Sequence, residues 1–166
     1  MQLDLRVRHR ANVSAVQSVL VAVHLLAAAV WVGGTVALVF VGVPVVARLE
    51  GEARSRSLRL LGRRWRPIGY GSLLVLGVTG VPLAANDWDS GSGFRWTLLA
   101  KVIAAIMLAA LAALHDYVLG PRLAREIREG KAPRTRPLLV VVGRAAFAFT
   151  IAVPLLGVAL TRLANG

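Results

Sequence analysis

Residues 19–46 read VLVAVHLLAAAVWVGGTVALVFVGVPVV, an unbroken apolar run of 28 residues. Its one ionisable side chain is His24, which is followed by Trp31, Gly33 and Gly34. About 20 apolar residues are enough for a helix to cross the hydrocarbon core of a bilayer. The run therefore predicts a membrane-spanning helix that carries an imidazole at membrane depth.

Three further apolar runs follow, at residues 67–85, 97–119 and 138–160. The 166-residue chain is 57% hydrophobic with a mean hydropathy of +0.66, and its charges lie in blocks between the runs. We therefore expect an all-α integral membrane protein, in which one domain (residues 1–166) forms a four-transmembrane-helix, up-down-up-down bundle. The first run is expected to be retained, because it is about twice as long as the apolar core of a signal peptide and no A-x-A site ends it.

The distribution of basic residues predicts the orientation. Seven arginines lie at 47–66 and six basic residues at 120–137, whereas 86–96 has two aspartates and one arginine. By the positive-inside rule the two basic connectors are cytoplasmic, so both termini lie outside. Three arginines near the N-terminus oppose this orientation but are outnumbered. The net charge of +12 predicts contact with the lipid bilayer and not with nucleic acid, because no aromatic residues interleave to form a stacking surface.

Several classes of chemistry are excluded by residues that the chain lacks. It has no cysteine, so disulfides, thiolate metal sites and a cysteine nucleophile are ruled out. The glycine-rich motifs G-x-G-x-x-G and G-x-x-x-x-G-K-[ST] are absent, and no serine has an evident histidine base. The sequence therefore predicts neither a hydrolase nor a nucleotide-binding protein, and whether it is an enzyme stays open.

Small and polar residues follow one face of three predicted helices. At 100° per residue, His24, Trp31 and Thr35 share a face of the first helix. Polar groups at membrane depth usually face the interior of a bundle. We therefore predict that six residues line a cofactor-binding core: His24, Trp31, Thr35, Thr79, Lys101 and Arg144.

Depth along the helices separates the ionisable residues into two levels. His24 and Lys101 lie roughly 6–8 Å below the outer boundary, whereas His115 lies about 21 Å further in. His115 is next to Asp116, and we group Arg144 with this second, inner cluster. The two histidines are therefore not expected to bind one metal ion together.

Imidazole suits haem iron, copper and zinc, so His24 and His115 are both candidate metal ligands. Two simpler interpretations remain open. In the first, His24 has no ligand and forms a hydrogen bond to a neighbouring helix through Thr35 or Thr79. In the second, Lys101 has no ligand and extends to the outer surface.

The first and third predicted helices are faintly alike. When Pro44 is aligned with Pro121, an alanine, an arginine and a glutamate that follow them also match, and His24 meets Lys101. A duplicated hairpin explains this similarity, and so does the general likeness of arginine-rich connectors.

Three stretches resemble the membrane domain of the copper-resistance protein D family: HLLAAAVWVGG (24–34), LVLGVTG (74–80) and WTLLAKVIAAIMLAALAALHDYVLGPRL (96–123). The resemblance covers almost the whole chain and depends on H-x6-W-x-G-G and on W-x4-K followed by H-D. It implies four helices in the cytoplasmic (inner) membrane of a prokaryote and copper handling, usually transport. His24 and His115 would then bracket a copper path, with Met107 between them.

A more distant similarity is to J-type protoporphyrinogen oxidase, a haem b membrane protein that also has a histidine before a tryptophan in its first helix. In that family an Asn-Glu pair follows the arginine of the fourth helix, whereas AAFAFTIAVP follows Arg144. This departure argues against that oxidase activity and leaves haem binding open.

Three functions follow as expectations. The main one is a b-type haem with His24 as axial ligand, used in membrane electron transfer or to oxidise a lipophilic substrate. The alternative is copper binding or transport across the membrane, without thiolates and with only two methionines. The third is a non-catalytic accessory subunit of a membrane complex. A homo-oligomer or a redox partner is compatible with each of them.

Overall fold

The computed structural model describes the backbone of residues 2–86, 88 and 91–165, and the side chains of residues 15–86, 88 and 91–163. Within these ranges the chain forms four long helical rods and no strand. We label them α1 (Gln2–Ala37, then a π-helical segment Leu38–Gly42, then Val43–Ala47), α2 (Gly51–Asn86), α3 (Ser92–Ala113, then a π-helical segment Leu114–Leu119, then Gly120–Arg128) and α4 (Arg136–Asn165).

Each rod contains a segment long and apolar enough to cross a membrane: Ala15–Ala47, Gly51–Asn86, Ser92–Arg128 and Arg136–Leu163. The prediction of an all-α, multi-pass membrane protein is thereby confirmed. The helices extend beyond the apolar runs. α2 begins at Gly51 because arginine is a good helix former and the arginine-rich segment before Pro67 continues the same helix.

The two π-helical segments have a common cause. Each lies two residues before a proline, at Pro44 in α1 and at Pro121 in α3. A proline ring inside a helix clashes with the carbonyl of the residue four positions earlier and lacks the N–H that would bind it. Those residues, Phe40 and Tyr117, lie inside the widened turns. The π-helical turns therefore let both rods continue past their prolines without ending.

The rods pack as two hairpins. α1 lies mainly along α2, α3 lies mainly along α4, and α1 also contacts α4. Leucine, valine and isoleucine side chains cover much of the outside of the bundle, as expected for helices that face lipid tails.

A pair of tryptophans fills the middle of the bundle. Trp31 of α1 is 6% exposed, and its ring centroid is 6.2 Å from that of Trp65 of α2. The indole Nε1–H of Trp31 donates to the hydroxyl of Thr150 of α4 at 3.2 Å, so this residue links the two hairpins. Two glycines leave space for these rings. A Cβ added at Gly69 would come 3.1 Å from the Trp31 ring, and one added at Gly34 would come 2.0 Å from the Trp65 ring.

Replacing Gly34 tests this packing. Gly34→Ala should destabilise the bundle by about 1–3 kcal/mol, because the new methyl group overlaps the Trp65 ring. Thermal unfolding in detergent, followed by circular dichroism, measures the change in midpoint. Gly33→Ala is the matched control, since a Cβ there meets nothing within 4 Å. Equal unfolding midpoints for the two variants would contradict the described packing of the Trp65 ring against Gly34.

Candidate functional site

Two sites are named outer and inner after the orientation that the sequence predicts. The outer site is built around His24 of α1. Its Nδ1 is 2.8 Å from the hydroxyl oxygen of Thr79 of α2, and that hydroxyl donates its proton to the carbonyl of Val75 at 2.7 Å. Because a hydroxyl has only one proton to donate, the imidazole must donate its own proton from Nδ1. The Nε2 atom of His24 therefore keeps a free electron pair. Gly80 leaves space for the ring, since a Cβ there would come 3.4 Å from its Cε1.

Lys101 of α3 lies at the same level as His24 and is within electrostatic range of it. The ammonium group lies against Gly157 of α4, where an added Cβ would come 3.2 Å from Nζ. Half-buried at this depth, Lys101 has no acidic partner among the described residues.

The inner site centres on Asp116 of α3. One carboxylate oxygen is 2.9 Å from Nδ1 of His115, and the other accepts a hydrogen bond from the hydroxyl of Tyr70 of α2 at 3.3 Å. Arg66 donates through Nη2 to the backbone carbonyl of Asp116, its Nε is 3.9 Å from the carboxylate, and its guanidinium lies 5.0 Å from the ring centroid of Tyr117. The five residues form a connected polar network between α2 and α3.

Asp116 also orients His115. A carboxylate only accepts hydrogen bonds, so Nδ1 of His115 carries the proton and Nε2 has the free electron pair. That edge of the ring lies against Gly143 of α4, where an added Cβ would come 3.3 Å from both Nε2 and Cδ2. The carboxylate–histidine pair is the arrangement that commonly orients a metal-ligating imidazole.

The two sites are far apart. Thr79 of the outer site and Arg66 of the inner site are 13 residues apart on one helix, which corresponds to about 20 Å. No group of three or more potential metal ligands of the His, Cys, Asp or Glu type occurs in the part of the chain that the structure describes. Residues 15–163 thus present two separate imidazoles among their described side chains, one near each end of the bundle.

The family model for copper resistance protein D (CopD) matches residues 59–160, well over half of the chain. The chain belongs to the CopD family. No curated protein and no solved structure matches the chain significantly. The matched part of this CopD protein contains Thr79, Lys101 and the whole inner site, whereas His24 lies before it.

The haem interpretation of this CopD chain gains no support. A planar macrocycle bound to His24 needs a slot between the helices. The core below His24 is instead filled by Trp31 and Trp65, which pack on Gly34 and Gly69. The family match points to copper and not to haem.

The remaining predicted site residues take different positions. Trp31 faces the core and binds Thr150. Thr35 has a buried hydroxyl oxygen without a hydrogen-bond partner among the described residues. Two expectations need correction. Arg144 is exposed on α4, so Arg66 and not Arg144 completes the inner cluster, and Met107 is 43% exposed, so it does not line the core between the histidines.

Arg66 and Tyr70 are residues of the inner site that the sequence pattern does not single out. In the sequence Arg66 is one of the seven arginines that predict the topology. The two residues are four positions apart, hence on the same face of α2, and this spacing was the available signal. It did not identify Asp116 as their partner, because that contact depends on how α2 and α3 are rotated against each other.

The tautomer of His24 is directly testable. Nitrogen-15 NMR of the imidazole should show Nδ1 protonated and Nε2 free in the wild type. The Thr79 hydroxyl already donates to the carbonyl of Val75, so it can only accept a hydrogen bond from His24. Thr79→Val removes the acceptor and should release the ring from this tautomer. Ser72→Ala is the control, since Ser72 is also a buried hydroxyl of α2 but bonds to the carbonyl of Gly69. A wild-type His24 protonated at Nε2 would contradict the assignment.

Proposed function

We propose that this CopD-family protein binds copper ions at its two histidines and passes them across the membrane. One observation carries the proposal: at both ends of the bundle an imidazole is held through Nδ1 by an oxygen acceptor, so that its Nε2 is free. Imidazole nitrogen is a good copper ligand. Outer-shell hydrogen bonds of this kind fix the tautomer and raise the basicity of the ligand.

The sparse ligand set supports transfer more than storage. Each site offers a single imidazole, and the chain has no cysteine to supply the thiolates that hold copper(I) tightly. Conduction requires sites that an ion both enters and leaves readily. Two weak sites about 20 Å apart meet that requirement better than one closed coordination shell.

Between the sites the copper ion would meet the tryptophan pair. Buried Trp31 and half-buried Trp65 lie between the two levels, so transfer from the outer to the inner site requires these rings to move. Their faces also attract cations, which would lower the barrier for a partly dehydrated ion. The hydrogen bond from Trp31 to Thr150 is the contact that such a movement would break.

The orientation belongs to the same proposal. Both arginine-rich connectors are placed in the cytoplasm and both termini outside, as the positive-inside rule predicts. His24 then lies near the outer face and the Asp116 network near the cytoplasmic face. This arrangement puts the His24 site where copper would be collected from outside, in the inner membrane of a prokaryote.

Single cysteines test the orientation, since the chain has none of its own. The thiol introduced by Ser92→Cys, at the start of α3, should react with a membrane-impermeant maleimide on intact spheroplasts. The thiol introduced by Ala132→Cys, in the second basic connector, should react only after permeabilisation. Labelling in the opposite order would place both termini in the cytoplasm.

Copper binding and transport are tested in purified protein and in proteoliposomes. His24→Ala and His115→Ala should each remove one bound copper ion per chain and slow copper uptake by about tenfold or more, the scale expected when ligation of a metal site is disturbed. Lys131→Ala is the control, because it removes an exposed side chain that pairs with Glu129 in the second basic connector and lies at neither site. Uptake unchanged in the double variant His24→Ala/His115→Ala would refute the proposal.

A further inference from the structure

The two hairpins are repeats of each other in structure. His24 and Lys101 are 77 residues apart, and so are the glycines that they pack against, Gly80 and Gly157. The same offset relates the two prolines that follow the π-helical turns. One helix–glycine contact therefore occurs twice, once in each hairpin.

Two pairs of buried positions follow the same offset. Ala27 and Ala104 are both 7% exposed, and Trp31 and Leu108 are 6% and 3% exposed. Arginine-rich connectors alone would not produce matching burial inside the membrane. The structure thus favours a duplicated hairpin over chance similarity.

The chemistry differs between the two equivalent positions. In the first hairpin His24 is anchored by Thr79. In the second hairpin the equivalent of Thr79 is Leu156, which has no hydrogen-bonding group. Lys101 consequently forms no hydrogen bond or ion pair within the described part of the chain, although an ammonium at membrane depth is costly unless it is paired.

The unpaired ammonium also conflicts with a bare copper ion at His24. Lys101 is within electrostatic range of the imidazole, and two like charges in a poorly polarisable medium repel each other strongly. His24 in turn supplies only one ligand. An anion between the two would resolve all three deficits, because it pairs with the ammonium, ligates the copper ion and neutralises the charge that the copper brings.

We propose that Lys101 binds a small anionic ligand of copper, so that the outer site takes copper as a complex with that anion and not as a bare ion. The inference rests on the proposed function. Copper is bound by Nε2 of His24 and by the anion, and the anion accepts charge-assisted hydrogen bonds from Nζ of Lys101. Chloride is the simplest anion of this class.

Copper(I) affinity measured under anaerobic conditions, by competition with a chromophoric chelator, tests the inference. The His115→Ala variant serves as background, so that only the outer site is observed. Replacing perchlorate, which coordinates weakly, by chloride at equal ionic strength should raise the affinity by about tenfold, a typical coupling between two ligands. In Lys101→Gln the ratio of the copper affinity in chloride to that in perchlorate should fall to the ratio measured for the chelator alone. In Lys101→Arg most of the ratio of the His115→Ala background should be retained.

Lys131→Gln is the matched control, because it removes an exposed lysine that pairs with Glu129, and it should behave like its background. Three results would overturn the inference. Equal anion effects with and without the Lys101 charge would show that the ammonium binds no anion. If Lys101→Gln lowered the copper affinity as much in perchlorate as in chloride, Lys101 would be a direct ligand of copper and not an anion-binding group. Absence of copper binding in every salt would refute the proposed function itself.

Discussion

The indole of Trp31 is the contact on which the arrangement of the bundle depends. It packs against Trp65 and Gly69 of α2 and donates its one N–H to Thr150 of α4, so it joins the two hairpins at mid-depth. Helices in a bilayer gain little from hydrophobic burial, since lipid tails are as apolar as leucine, and they associate through close packing and hydrogen bonds. A single residue that supplies both therefore determines where the helices meet, and hence how the polar groups above and below it are presented.

The same principle explains why two imidazoles are held in one tautomer. His24 and His115 each lie against a glycine of a neighbouring helix. Each donates a hydrogen bond from Nδ1–H to an oxygen, which is a threonine hydroxyl at the outer site and a carboxylate at the inner one. In the membrane interior an unsatisfied polar group is costly, so these bonds hold the rings firmly. What they leave free is one nitrogen on each ring, which is the atom that a metal ion requires.

The duplicated hairpin provides equivalent positions and then uses them for different chemistry. Helix, π-helical turn, proline and glycine contact recur with a constant offset, because the packing of a hairpin is determined by the small residues at its interface. The side chain placed on that interface is free to differ, and here one copy has an imidazole and the other an ammonium. The family match to CopD covers the second copy as far as residue 160 and the first only from residue 59, so it includes Lys101 and not His24.

The sequence by itself determined the membrane class, the four helices and the depth of each ionisable group, because hydropathy and the rise of a helix depend only on distance along the chain. It also separated His24 from His115, since about 21 Å of helix lies between their levels. Tertiary structure alone decided the partners: Thr79 and not Thr35 for His24, and Arg66 and not Arg144 for Asp116. It also showed a core filled by tryptophan where a haem was expected. Those outcomes depend on the rotation of each helix about its axis, and that rotation is set by which glycines allow close approach, a property of helix pairs that no single run of residues contains.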